Sequence, residues 1–92
     1  MKQKAVVVIP TYNEAGSIGR LLRLLTTETI PACAPWDVQI LVVDGCSNDG
    51  TTRIAREASR TASNVHLLVE EKKNGIGAAY RIGFEHAVKK DL

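Results

Sequence analysis

Three short apolar runs, each ending in a polar loop and each preceding a stretch of helical periodicity, constrain this chain more than any other feature. The first run is Ala5-Val6-Val7-Val8-Ile9, the second spans Gln39 to Val43, and the third spans Val65 to Val69. The first is apolar at every position and β-branched at all but Ala5, as expected of a strand buried on both faces of a parallel sheet. Pro10 is expected to end it. Between the first two runs, Ile18, Leu21, Leu22 and Leu25 fall on one helix face. The segment Ile30 to Asp37 contains Pro31 and Pro35 and reads as a loop. Ile54, Ala55, Ala58 and Ala62 predict a second helix, capped by Ser47, Asn48 or Asp49. A last helix is predicted from about Ile76 to Lys89, with Tyr80, Phe84, Ala87 and Val88 at helical spacing. The order βαβαβα implies an α/β fold, with a Rossmann-like parallel sheet and right-handed crossovers.

Ninety-two residues make one small domain. A hydrophobic content of 45% and a charged content of 24% are those of a globular protein. The net charge of +2 gives no reason to expect a nucleic acid or an anionic membrane as partner. No apolar run approaches the roughly 20 residues of a membrane span. The first run also falls short of the apolar core of a signal peptide, about 7–15 residues. The two cysteines, Cys33 and Cys46, lack metal-ligand spacing and read as cytosolic thiols.

Open parallel sheets bind ligands beyond the carboxyl ends of their strands. The polar loops 10–17, 44–50 and 70–77 all fall at those ends. Asp44 follows four apolar residues. Its carboxylate is suited either to the N–H groups of a nucleobase or to local backbone N–H groups in a turn. Pro10 and Tyr12 offer a flat wall for a base, or simple packing on the loop's own helix. Glu14 is placed to meet a ribose hydroxyl, or to favour a helix start by its charge. Lys72-Lys73-Asn74-Gly75-Ile76-Gly77 opens a helix. Its N–H groups and lysines suit a phosphate, while Gly75 also fits a turn and Gly77 a close-packing role. The loop lacks a Walker ending and follows the third strand, so it is neither a P-loop nor a dinucleotide fingerprint. His66 and His86 have no ligand partners at metal spacing. Trp36 reads as a packing anchor. Glu57, Glu70, Glu71, Glu85 and Asp91 read as solvated faces.

Taken together, three segments resemble the family-2 glycosyltransferases. Val8-Ile9-Pro10-Thr11-Tyr12-Asn13-Glu14 is similar to that family's opening motif. The segment from Val42 through Asp44-Gly45-Cys46-Ser47-Asn48-Asp49-Gly50 to Thr51 is similar to its second motif. Asn74-Gly75-Ile76-Gly77-Ala78-Ala79-Tyr80 resembles the glycine-rich stretch of the dolichol-phosphate mannosyltransferase and polyprenyl-phosphate glycosyltransferase branch. The resemblance covers nearly the whole chain, in the right order.

The resemblance implies a GT-A fold, of which residues 1–92 form the amino-terminal, nucleotide-binding half. It implies a UDP- or GDP-linked sugar as donor and polyprenyl or dolichyl phosphate as acceptor, with Mg²⁺ or Mn²⁺ required by the intact enzyme. Pro10, Thr11, Tyr12, Glu14 and Asp44 are then the expected nucleotide-binding residues, and Lys73, Gly75 and Gly77 the expected phosphate or acceptor loop. Many members carry a second acid where this chain has Gly45, which bears on base recognition. The family's Asp-x-Asp metal motif has no counterpart in this sequence. No catalytic residue or metal ligand is therefore expected within it, and the chain alone is expected to bind no metal and to be inactive.

A sugar nucleotidyltransferase would carry a glycine-rich loop with Arg after the first strand, where Pro10-Thr11-Tyr12-Asn13-Glu14 stands. A non-catalytic nucleotide-binding module is the remaining alternative. The expected location is cytoplasmic, at a membrane's cytoplasmic face where segments beyond Leu92 would reach it. The first strand, lacking the partner it has in the resembling fold, is expected to self-associate through its open edge.

Overall fold

The computed structural model describes residues 3–92; Met1 and Lys2, at the head of the first predicted strand, lie outside the described residues. Strands β1 (Lys4–Thr11), β2 (Asp37–Asp44) and β3 (Val65–Val69) form one parallel sheet in the order β1-β2-β3. Helix α1 (Ile18–Leu24) leads through a π turn (Leu25–Thr29) into a short α2 (Ile30–Ala32). Helices α3 (Thr51–Thr61) and α4 (Ile76–Lys89) follow β2 and β3. The register sets Val8 against Leu41, Thr11 against Asp44, and Asp44 against Val69. Three strand ends are thus level, and their loops share one rim of the sheet.

The central strand carries the core. Ile40, Leu41, Val42 and Val43 are all fully buried, because β2 is paired on both edges and covered on both faces. On one face, Ile40 and Val42 pack with Ile18, Leu22, Ala55 and Val65. On the other, Leu41 and Val43 meet Ala79 and Ala87 of α4.

Four local expectations are corrected. First, Pro10 lies inside β1. The Thr11 carbonyl accepts the Gly45 N–H, so Thr11 points toward β2 and Pro10, one residue earlier, points to the open edge. A proline is tolerated there because no ladder hydrogen bond is lost. Second, the helical path continues through Pro31. The missing proline N–H is accommodated just after the wide turn, whose freed carbonyls are taken by hydroxyls. Thr26 Oγ1 donates to the Leu22 carbonyl at 2.9 Å and Thr27 Oγ1 to that of Arg23 at 2.7 Å.

Third, the large apolar residues of α4 point outward. Tyr80, Phe84 and Val88 are exposed, while Ala79, Gly83 and Ala87 face the sheet. A Cβ on Gly83 would come within 2.7 Å of Val8 and 2.9 Å of Val43, so only the small-residue face lets this helix approach. Leu21 is likewise exposed, whereas Ile18 and Leu22 are buried. Fourth, Trp36 is half exposed rather than a packing anchor.

Candidate nucleotide site

The loops after β1 and β2 are laced together by side chains. Thr11 Oγ1 donates to Asp44 Oδ1 at 2.7 Å. The Asn13 N–H donates to Ser47 Oγ at 2.9 Å, and the Asn48 N–H donates back to Asn13 Oδ1 at 3.0 Å. The Glu14 N–H reaches Thr51 Oγ1 at 2.8 Å, and the Ala15 N–H reaches Asp49 Oδ2 at 3.1 Å. Asn13 takes a left-handed conformation, φ 53°, which aims its backbone and side chain at the second loop.

Asp44 organises this lattice. It is wholly buried, and its carboxylate accepts four hydrogen bonds: from Thr11 Oγ1 and Ser47 Oγ at Oδ1, and from the Ser47 N–H and Thr52 Oγ1 at Oδ2. Burial by itself raises the Asp44 pKa. The hydrogen bonds from Ser47, Thr52 and Thr11 together outweigh it and hold the carboxyl below its ordinary value. Asp49 is also held low, first by its bond from the Thr51 hydroxyl and then by the Ala15 and Thr51 N–H groups. The N-cap of α3 is Gly50, φ 101°, not one of the three polar candidates; Asp49 serves from one residue earlier by accepting the Thr51 N–H.

Between this lattice and the loop after β3 lies an open cleft of about 230 Å³. Its walls are Pro10, Thr11, Tyr12, Glu14 and Gly45 on one side, and Glu70, Lys73, Asn74, Gly75, Ile76 and Ala79 on the other. Of the residues expected from sequence, Pro10, Thr11, Tyr12, Glu14, Lys73 and Gly75 meet at this cleft. Asp44 and Gly77 do not line it. Asp44 lies behind the wall, and a Cβ on Gly77 would project into open space, so Gly77 makes no close packing contact. The Lys73 ammonium rests 4.4 Å from the centre of the Tyr12 ring. Glu14 Oε1 accepts the Tyr12 N–H at 3.3 Å, which leaves the other carboxylate oxygen open.

Glu70 is not the solvated carboxylate expected from the sequence. It is 7% exposed and lines the cleft, with Oε2 accepting from Asn74 Nδ2 at 2.8 Å. The signal was present: Glu70 follows an apolar strand as Asp44 does, and an acid at such a position faces the rim. Sequence offers Ser47 only as a helix cap and gives Thr51 and Thr52 no role, because a hydroxyl's role depends on which carboxylate the fold sets beside it. Among the described residues, no three His, Cys, Asp or Glu side chains are grouped so as to hold a metal ion. His66 Nε2 instead pairs with Gln39 Oε1 across the sheet at 2.7 Å.

Residues 6–90 match the glycosyl transferase family 2 sequence profile. The chain belongs to glycosyl transferase family 2. It is 40% identical over 81 residues to glycosyltransferase AglE of Haloferax volcanii, covering 88% of this chain and 26% of that protein. It is 39% identical over 89 residues to the polyprenol monophosphomannose synthase of Mycolicibacterium smegmatis, covering 96% of this chain and 31% of that one. A similar fold is seen in the mannosyltransferase PcManGT of Pyrobaculum calidifontis, solved with GDP-Man and Mn²⁺. That structure superposes with a TM-score of 0.66 at 26% identity, over 95% of this chain and 25% of the other. The α/β arrangement is thus that of a GT-A glycosyltransferase. This family-2 chain spans about a quarter to a third of the length of these proteins.

Proposed function

We propose that this chain is the amino-terminal, nucleotide-binding half of a glycosyltransferase domain, which takes a nucleoside-diphosphate sugar and delivers the sugar to a polyprenyl phosphate. The observation that carries this reading is the cleft at the strand ends. It is walled by the two loops that hold the family's opening and glycine-rich motifs. The donor class is supported by the GDP-Man bound to the mannosyltransferase of P. calidifontis, and the acceptor class by the polyprenol relative.

In this reading Tyr12 and Pro10 flank the base, and Thr11 and Glu14 face the ribose. Lys73, with the N–H groups that follow Gly75, faces the diphosphate. Asp44 acts on the nucleoside through the loop it fixes. In the transfer, an acceptor phosphate oxygen forms a bond to the anomeric carbon as the bond from that carbon to the diphosphate breaks. The nucleoside diphosphate leaves with the bonding electron pair.

The mannosyltransferase of P. calidifontis carries Mn²⁺, which supports a divalent ion for the whole enzyme. Among the described residues, no group of three His, Cys, Asp or Glu side chains is placed to hold such an ion. No described helix is long and apolar enough to cross a membrane. A polyprenyl acceptor would nonetheless place the whole enzyme at a membrane face, on its cytoplasmic side.

Titration calorimetry of the chain with GDP, UDP and their sugars tests the reading. Binding without turnover is expected, and failure of every nucleotide to bind would end it. The open edge of β1 also supports self-association: Lys4, Val6 and Val8 point their N–H and C=O groups away from β2. A second copy joined there would pair antiparallel about a two-fold axis.

A further inference from the structure

Two carboxylates end adjacent strands at the rim of this sheet, and their hydrogen-bonding states are opposite. The Glu70 N–H donates to the Asp44 carbonyl at 2.8 Å, so the two residues lie side by side. Every acceptor position of Asp44 is engaged from within the chain, and it does not reach the cleft. Glu70 is nine-tenths buried, lines the cleft, and is held by Asn74 through Oε2 alone. No donor from the described residues reaches Glu70 Oε1. Every fully enclosed side-chain oxygen or nitrogen among them has a partner, so Oε1 is open to an atom entering from outside. The Asn74 bond fixes the carboxylate in one orientation before any ligand arrives.

We propose that Glu70 selects the base of the nucleotide, favouring guanine over uracil; this rests on the cleft being the nucleotide site. An ionised carboxylate only accepts hydrogen bonds. Guanine presents two adjacent donors on one edge, the ring N1–H and the 2-amino group. Uracil presents a single N3–H between two carbonyl oxygens, which a carboxylate repels. Hydrogen bonds to a charged partner are the strong ones, and one such bond is worth about a tenfold difference in affinity or more. A Cβ at Gly45, on the opposite wall, would stand 3.4 Å from the Thr11 carbonyl and 3.7 Å from Lys73.

Titration calorimetry of the chain with GDP, inosine diphosphate and UDP reads this directly. GDP is expected to bind about tenfold more tightly than UDP. Inosine diphosphate, lacking the 2-amino group, is expected to fall between them. Glu70→Gln keeps an oxygen for Asn74 but presents a competing amide, and is expected to bring the GDP-to-UDP ratio near one. Glu70→Arg, a donor-only group, is expected to reverse it. Circular dichroism melting of each variant establishes that it is folded. If the wild-type chain binds no nucleoside diphosphate, the reading of the cleft falls and this proposal with it. If nucleotides bind but the ratio is the same with and without the Glu70 carboxylate, the proposal alone is overturned. The inosine comparison needs no variant, and equal affinity for GDP and inosine diphosphate overturns it too.

Discussion

The Lys73 ammonium lies over the Tyr12 ring, 4.4 Å from its centre, and so joins the loop after β3 to the loop after β1 across the cleft. A cation on an aromatic face is free to turn to a stronger anion when one arrives, because the contact is worth only about 0.5–1 kcal/mol at an exposed site. Lys73→Met keeps the apolar stem and removes the charge. It is expected to weaken GDP several-fold in calorimetry while leaving guanosine, which has no phosphate, unchanged. An equal loss for both ligands would mean that the ammonium serves the base wall and not the diphosphate.

Asp44→Ala is expected to cost about 3 kcal/mol of folding stability in urea titrations, because it leaves three hydroxyls and a backbone N–H without their shared acceptor. Burial of the carboxylate makes loss of stability and loss of binding arrive together. Asp49→Ala removes an exposed carboxylate and is expected to lower the melting temperature less. A smaller effect at Asp44 than at Asp49 would contradict this account of the lattice.

Acid should unfold the protein through these same groups. Asp44 and Asp49 both have folded pKa values below the usual carboxylate value, so the native state holds their protons less tightly than the unfolded chain. Their contribution is fully present above the unfolded value of about 3.9 and is lost as pH falls through the folded values. Melting temperature is expected to be level from about pH 7 to about 5 on account of these two groups, and to drop progressively below that. The drop should be shallower in Asp44→Asn, measured from that variant's own starting stability.

Two glycines of α4 should respond oppositely to alanine. Gly83→Ala drives a Cβ against Val8 and Val43 and is expected to cost about 1–3 kcal/mol, even with alanine's better helix propensity. Gly77→Ala enters open space on a helix and is expected to add about 0.4–1 kcal/mol. Thermal melts of the two variants separate these cases.

The open edge of β1 predicts concentration-dependent association, read by light scattering. Val7 is partly exposed on this strand, and Val7→Lys is expected to reduce association without a large loss of stability. A wild-type chain that stays monomeric at every concentration would remove the case for pairing through β1.

The order of elements, the parallel sheet and the rim on which the loops meet were legible in the sequence. Buried parallel strands write themselves as unbroken apolar runs, and the crossover rule leaves little choice of connection. Tyr12, Glu14, Lys73 and Gly75 could be placed near a common cleft on that ground alone. What only the tertiary structure decided was which polar atoms face each other. Asp44 and Glu70 look alike in sequence, each an acid after an apolar strand. Yet Asp44 is enclosed by donors from Thr11, Ser47 and Thr52, and Glu70 is left with an open oxygen. The same is true of α4, whose apolar periodicity fits either face. The close approach of Val8 and Val43 selects the face of Ala79, Gly83 and Ala87. Periodicity records that a residue is apolar or polar, whereas hydrogen-bond partners and the spacing between layers arise only when distant segments are brought to a few ångströms of one another.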